Sequence, residues 1–316
     1  MQTTGREPAA AQAVATHELT RTFGPVTALS RLDVTMPRGV VGLVGANGAG
    51  KSTLIKILLG LLRPTSGRAE VLGLDCGTDG PAIRRLVGYM PESECLPPDV
   101  SATELVVHLA RMSGLPAEVA RERTADTLRH VGLHEERYRP IGGYSTGMKQ
   151  RVKLAQALVH DPRLVLLDEP TNGLDPAGRD EMLGLIQRIS TDFGISVLVT
   201  SHLLGELERI ADHLVVIDGG VLQRSTSTAD ATRLSGVILV EVTDRADELV
   251  ARLRAIGARV AEGGGQSFTV EPTDDAVLDA VQGGAADLGV GLVRMQRRRH
   301  HLTEMFREQE VTDVRR

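Results

Sequence analysis

The chain has 316 residues, 41% of them apolar but only 2% aromatic, so Leu, Val, Ile and Ala must build its core. Its net charge of −5 argues against a surface that attracts nucleic-acid phosphate throughout. Two cysteines, Cys76 and Cys95, exclude a disulfide framework or a cysteine-only zinc site and make a reducing cytoplasm the simplest setting.

The first residues, MQTTGREPAAAQAVAT, lack a basic start followed by a strongly apolar stretch, so residues 1–13 are expected to be a disordered tail and not a signal peptide. No run approaches the roughly 20 apolar residues of a membrane-spanning helix. VVGLVGA then reads as a buried strand and KSTLIKILLGLL as the helix after it. At their junction GANGAGKST fits the phosphate-loop pattern through Gly45, Gly50, Lys51 and Ser52, with Asn47, Gly48, Ala49 and Thr53 completing the loop. Backbone N–H groups of such a loop wrap phosphate oxygens, and the helix N-terminus adds positive potential. Lys51 is expected to reach the β- and γ-phosphates and the Ser52 hydroxyl to ligate Mg²⁺. The alternative is a glycine turn that holds no ligand.

SATELVVHLARMSG and EVARERTADTLRHVG are amphipathic helices with no strand between them, the mark of a helical insert. In YSTGMKQR, Ser145 is a good N-cap for a helix starting at Thr146 or Gly147, and Lys149 and Arg151 are placed on the helix flank. RLVLLDEP and ISVLVTSH are two more buried strands, and their near-continuous apolar character suits a parallel sheet covered on both faces. The first ends in Asp168, suited to hold Mg²⁺ through water, and Glu169, suited to orient or deprotonate a water; acids that merely end a strand are the alternative. The second ends in His202, either a structural histidine or a contact to the γ-phosphate or the attacking water. Between them Asp175 and Pro176 form a helix start, giving a βαβ rhythm and an α/β fold. LVVIDGGVLQRS reads as a closing hairpin around Asp218–Gly220. Past a boundary near Ser225, GVILVEVT, DELVARLRAIG, SFTVEP, DAVLDAVQGGAADLG and VGLVRM alternate strand and helix as a small α+β unit without a catalytic constellation. RRRHH at 297–301 is too short a basic run to argue for nucleic acid and reads as a solvated or interdomain face.

The phosphate loop at 45–52, YSTGM, LLDEP at 166–170, NGLD at 172–175 and SH at 201–202 stand in the order that resembles ABC-transporter ATPases, over roughly Val14 to Arg224. The resemblance implies a P-loop NTPase core with an ABC-type helical subdomain (about 93–158) and an antiparallel β subdomain in residues 14–224, followed by a C-terminal α+β domain in 225–316. It implies ATP and Mg²⁺ as ligands, with Glu169 and His202 catalytic and Ser52, Glu92 and Asp168 on the metal. Phe23 in RTFGP stands where the family stacks an aromatic on adenine, a role that needs only a π face; core packing is the alternative. In the family two domains pair head to tail, so Ser145 and Gly147 would serve the ATP held by the other subunit; Asp175 is also expected to be nucleotide-binding. With one phosphate loop and one signature, the chain would act as a homodimer or with a homologous subunit.

Two departures stand out. Tyr144-Ser145-Thr146-Gly147-Met148 replaces the usual LSGGQ, and Glu92 in GYMPESE replaces the usual Gln. Both, with RPTSG at 63–67 and a C-terminal HHLTEMF, are similar to exporter ATPases of the daunorubicin-resistance type. The implied function is an ATPase subunit at the cytoplasmic face of the membrane that powers a separate permease, docked along residues 92–110, with no nucleic-acid partner. The competing readings are a non-transport ABC ATPase acting on ribosomes or nucleic acid, and a nucleotide-gated module without turnover; the filled Glu169 and His202 positions oppose the latter.

Overall fold

The computed structural model describes residues 12–229, 237–262, 264–271 and 275–298. The chain divides into two compact units, Met1–Ser227 and Thr228–Arg316.

The first unit opens with a hairpin of β1 (Gln12–Phe23) and β2 (Val26–Pro37), whose last pair is Phe23 with Val26. β1 begins inside the span expected to be tail: Gln12 pairs with Pro37, the Ala13 carbonyl accepts from Leu72, and Ala13 is buried. Residues 1–11 of that span lie outside the described residues. The chain continues through β3 (Val40–Val44), α1 (Lys51–Leu58), β4 (Ser66–Val71) and β5 (Leu74–Asp75). β2-β1-β4-β5 is an antiparallel sheet. α1 stops earlier than its apolar sequence suggests. Gly60 takes a left-handed φ of 65°, and a side chain there would meet Gly80 Cα at 2.8 Å, so the helix yields to a tight turn.

Next come α2 (Gly80–Leu86), β6 (Val87–Met90) and the helical insert of α3 (Ala102–Met112), α4 (Ala117–His130) and α5 (Thr146–Leu158). α3 starts with a full capping box: the Glu104 amide donates to Ser101 Oγ at 3.2 Å while Glu104 Oε2 accepts from the Ser101 amide at 2.8 Å. β7 (Leu164–Leu167), α6 (Pro176–Phe193), β8 (Ser196–Ser201), α7 (Leu204–Leu207), β9 (His213–Asp218) and β10 (Val221–Ser227) complete the unit. The second sheet has order β10-β9-β3-β8-β7-β6, parallel throughout except for the β9–β10 hairpin expected around Asp218–Gly220. Every residue of β3, β7 and β8 is buried, including the polar Ser196, Thr200 and Ser201 of β8, as strands covered on both faces require. Leu54, Ile55, Ile57 and Leu58 of α1 join Leu29 and Leu32 of the first sheet and Leu43, Leu166 and Leu198 of the second in one hydrophobic core.

The second unit runs β11 (Val237–Val242), α8 (Ala246–Ala255), β12 (Arg259–Glu262), β13 (Ser267–Glu271), α9 (Asp275–Leu288) and β14 (Leu292–Arg298), with antiparallel order β12-β13-β11-β14. This is a β-α-β-β-α-β arrangement around Ile238, Val240, Leu249, Leu253, Phe268 and Val281. β12 has no counterpart in the sequence reading: it is a four-residue edge strand whose RVAE carries no apolar run. Of RRRHH only the backbone of Arg297 and Arg298 falls within the described residues, in β14, and HHLTEMF lies outside them.

One close approach fixes the helical insert against the core. A Cβ at Gly88 in β6 would lie 1.9 Å from the Ala157 carbonyl oxygen of α5, so no side chain fits. Gly88→Ala should cost about 3 kcal/mol or more of stability, read as a lowered midpoint in urea unfolding with an unchanged slope.

Candidate functional site

The phosphate loop spans the turn from β3 into α1, and its conformation depends on its glycines. Gly50 precedes α1 at φ 100°, where an added Cβ would lie 2.5 Å from the Ala28 carbonyl; at Gly45 it would lie 2.5 Å from that of Ile217. No side chain caps α1, which leaves its first N–H groups free to meet an anion. Asn47, Gly48, Ala49, Gly50, Lys51, Ser52 and Thr53 line a cleft of about 340 Å³ together with Ala28, Glu92, Asp168 and Glu169. The loop predicted from sequence and the acids predicted 117 residues further on (168 − 51 = 117) therefore share one wall.

Lys51 folds back over its own loop. Its Nζ donates to the Gly45 carbonyl at 2.6 Å and lies 3.2 Å from Glu169 Oε1, with both side chains buried. Glu169 Oε2 is 2.9 Å from Nδ1 of His202, which emerges from the end of β8. Oε1 faces the Lys51 ammonium alone, an ion pair without hydrogen-bond geometry, so the carboxylate has one cationic and one imidazole neighbour. Glu169 holds φ at 49°, a conformation that non-glycine residues adopt at a cost. A residue absent from the sequence reading offsets it. Thr200, fully buried in β8, accepts from the Glu169 amide at 2.9 Å and donates to Asp168 Oδ1 at 2.8 Å. Its only trace in the sequence was its place two residues before His202.

Glu92 follows β6 and reaches the same cleft, with Oε1 accepting from Asn172 Nδ2 at 3.3 Å. Ser52, Asp168 and Glu92 thus offer one hydroxyl and two carboxylates, a hard-oxygen set that suits Mg²⁺ shared with phosphate oxygens. Among the described residues no group of three or more His, Cys, Asp or Glu could hold a metal by itself. Nearby Tyr89 is pushed up to about 12, first by burial and then by the Asp168 charge. Phe23 is not core: it sits at the tip of the β1–β2 hairpin, 45% exposed, with the Arg21 guanidinium 4.4 Å from its ring centre. Ala28 of the same hairpin lines the phosphate cleft, so an open aromatic face stands on the element that walls the site.

The signature lies elsewhere. Ser145 caps α5 as expected, its Oγ accepting from the Met148 amide at 3.3 Å. Asp175 caps α6, its Oδ1 accepting from the Gly178 amide at 2.9 Å. Ser145, Gly147 and Asp175 line a second cleft of about 610 Å³, which has no lining residue in common with the first. Gly147 has room for a Cβ within the chain, with the nearest atom 3.8 Å away, so nothing internal demands glycine there. Lys149 and Arg151 do more than line a flank: Lys149 Nζ pairs with Glu94 Oε1 at 2.6 Å, and Arg151 binds the Val131 carbonyl at 2.8 Å and Glu181.

Comparison with known proteins gives the family of the chain. The ABC transporter family profile matches residues 29–172. The daunorubicin/doxorubicin resistance ATP-binding protein DrrA of Streptomyces peucetius is 34% identical over 74% of this chain and 71% of its own length. An uncharacterized ABC transporter ATP-binding protein, YxlF of Bacillus subtilis, is 41% identical over 57% of this chain, and the match spans 59% of that relative. A solved ATP-binding subunit of an ABC transporter is 30% identical with a TM-score of 0.60, covering 70% of this chain and 92% of that one.

Removing the Thr200 hydroxyl while keeping its shape isolates its role. Thr200→Val should leave the buried Glu169 amide unsatisfied, lower stability by ~1–3 kcal/mol and cut ATP hydrolysis more than ATP binding. Thermal unfolding, nucleotide affinity and phosphate release on the same preparation check this.

Proposed function

The chain belongs to the ABC transporter ATP-binding proteins, a family of ATPases, and from that premise we propose that it powers a membrane exporter by ATP-driven pairing with a second copy or a homologous subunit. The observation that carries the reading is the buried Glu169 carboxylate, held between Lys51 and His202 at the wall of the phosphate cleft. In hydrolysis the loop amides and α1 N-terminus bind the phosphates, and Lys51 exchanges its loop carbonyl for phosphate oxygen. Glu169 takes a proton from water as the water oxygen bonds to the γ-phosphorus and the bond to the bridging oxygen breaks. His202 orients the carboxylate. Ser52, Asp168 and Glu92 would hold Mg²⁺, which when bound would supply charge neutralisation to the triphosphate. Phe23 stacks on adenine.

The two clefts of one chain share no lining residue, which supports completion of each ATP site by the Ser145 end of another subunit. No helix among the described residues is long and apolar enough to cross a membrane. The transmembrane path would then belong to a separate permease, with this subunit peripheral at its cytoplasmic face. Residues 92–110, the loop before α3 and most of α3, are the proposed docking surface; its exposed side includes Glu104 and His108. The similarity to a daunorubicin/doxorubicin resistance protein supports efflux of an antibiotic-like small molecule.

Glu169→Gln should keep ATP binding and lower hydrolysis by roughly 10²–10⁴-fold, the loss typical of a general base, so that ATP accumulates a stable dimer. Near-normal phosphate release by this variant would sink the assignment. Ser145→Arg should block ATP-induced dimerisation while monomer affinity stays within about twofold of wild type, because that side chain serves the other subunit's site. Nucleotide titration alongside sedimentation separates the two effects; collapse of monomer affinity would mean that the signature does not act across an interface.

A further inference from the structure

Lysine is among the residues least often fully buried, yet Lys153 of α5 is only 4% exposed. An apolar side chain would pack the same position without stripping an ammonium of water. Its Nζ donates to the backbone carbonyl of Glu92 at 3.0 Å. One turn earlier, Lys149 Nζ pairs with Glu94 Oε1 at 2.6 Å. On the same face Gln150 Nε2 donates to the Asn172 carbonyl at 3.1 Å, and Asn172 Nδ2 reaches back to Glu92 Oε1 at 3.3 Å. The signature helix is thereby stitched to the loop that carries Glu92 and to the loop that follows Glu169. α5 begins at Thr146, so Lys153 and the capping Ser145 sit at the two ends of roughly 12 Å of continuous helix, at 1.5 Å per residue.

We propose that Lys153 is a positioning residue that couples the two ATP sites of the dimer. It ties the metal-side loop of its own subunit's site to the helix whose N-terminal serine serves the other site. A displacement of Glu92 when nucleotide and metal bind is passed to α5 through the Lys153 hydrogen bond, because the acceptor is the backbone itself and the buried lysine chain has little room to follow it alone. Occupancy of one site therefore sets the angle at which Ser145 meets the other. The two lysines divide the work: Lys153 grips the main chain from a buried position, and Lys149 holds the exposed Glu94 side chain two residues on. This rests on the reading that Ser145 completes the site of a second subunit.

The test is the ATP concentration dependence of hydrolysis by the full chain, with monomer ATP affinity and thermal unfolding measured in parallel. Wild type should show a Hill coefficient clearly above 1. Lys153→Met, which fills the same volume without a donor, should bind ATP with affinity within about twofold of wild type but lose cooperativity, its Hill coefficient falling to about 1. The surface pair covers the case in which Lys153→Met does not fold. Lys149→Glu should lower the Hill coefficient with the unfolding midpoint unchanged, and Lys149→Glu combined with Glu94→Lys should restore it, whereas a purely structural role would move the unfolding midpoint instead. A wild-type Hill coefficient of 1, or undiminished cooperativity in folded Lys153→Met, overturns the proposal, as does a charge swap that recovers nothing. Ser145→Arg is the separate control: if it still dimerises with ATP, the shared-site reading fails, whatever the lysine variants do.

Discussion

The site depends on the placement of one helix end. α1 presents uncapped N–H groups to the phosphate cleft, and those groups are useful only where water and side chains do not claim them first. The helix is held there by its other face: Leu54, Ile55, Ile57 and Leu58 are fully buried in a core shared by the antiparallel and the largely parallel sheet. Eight residues would be marginal as an isolated helix, so this burial and not intrinsic propensity keeps α1 formed and aimed. The left-handed Gly50, pressed against the Ala28 carbonyl, sets the direction from which the chain enters it.

Around that fixed end the charged groups restrain one another. Lys51 is buried and meets a loop carbonyl and Glu169; Glu169 meets Lys51 and His202; Asp168 is held by Thr200. Each buried charge has a partner, as the cost of desolvating it demands. Binding of a triphosphate can thus proceed by exchange, with phosphate oxygens replacing the carbonyl that Lys51 now holds. The strained backbone at Glu169 persists because β7 on one side and Thr200 on the other leave it no alternative.

The helical insert is the part of the first unit with divided attachments. Gly88 and Ala157 bring backbone against backbone, which sets a firm contact between β6 and α5. At the other end of α5 the attachments are polar: Lys149, Gln150 and Lys153 grip loops that themselves line or border the phosphate cleft. Burial lowers the pKa of Lys153 below the ordinary lysine value, against the raising effect of Cys95, Glu92, Glu94 and Asp168 nearby.

Much of this was legible in the residue order. The phosphate loop, the strand ending in Asp168 and Glu169, the caps at Ser145 and Asp175 and the hairpin at Asp218–Gly220 all rest on local rules of turn chemistry, capping and apolar periodicity, which act within a few residues. What the sequence could not show was whatever depends on distant backbone. β12 escaped notice because an exposed edge strand needs no apolar run, and α1 ended early because Gly60 meets Gly80. Thr200 and Lys153 carry no local signal at all: a threonine in a strand and a lysine in a helix are ordinary until the fold brings them to Asp168 and to the Glu92 carbonyl. The order of residues alone thus determined which turns, caps and strand ends the chain would form and which polar groups they would carry. Only the tertiary structure decided which of them meet, because a hydrogen bond requires partners within about 3 Å, and chain separation says nothing about that distance.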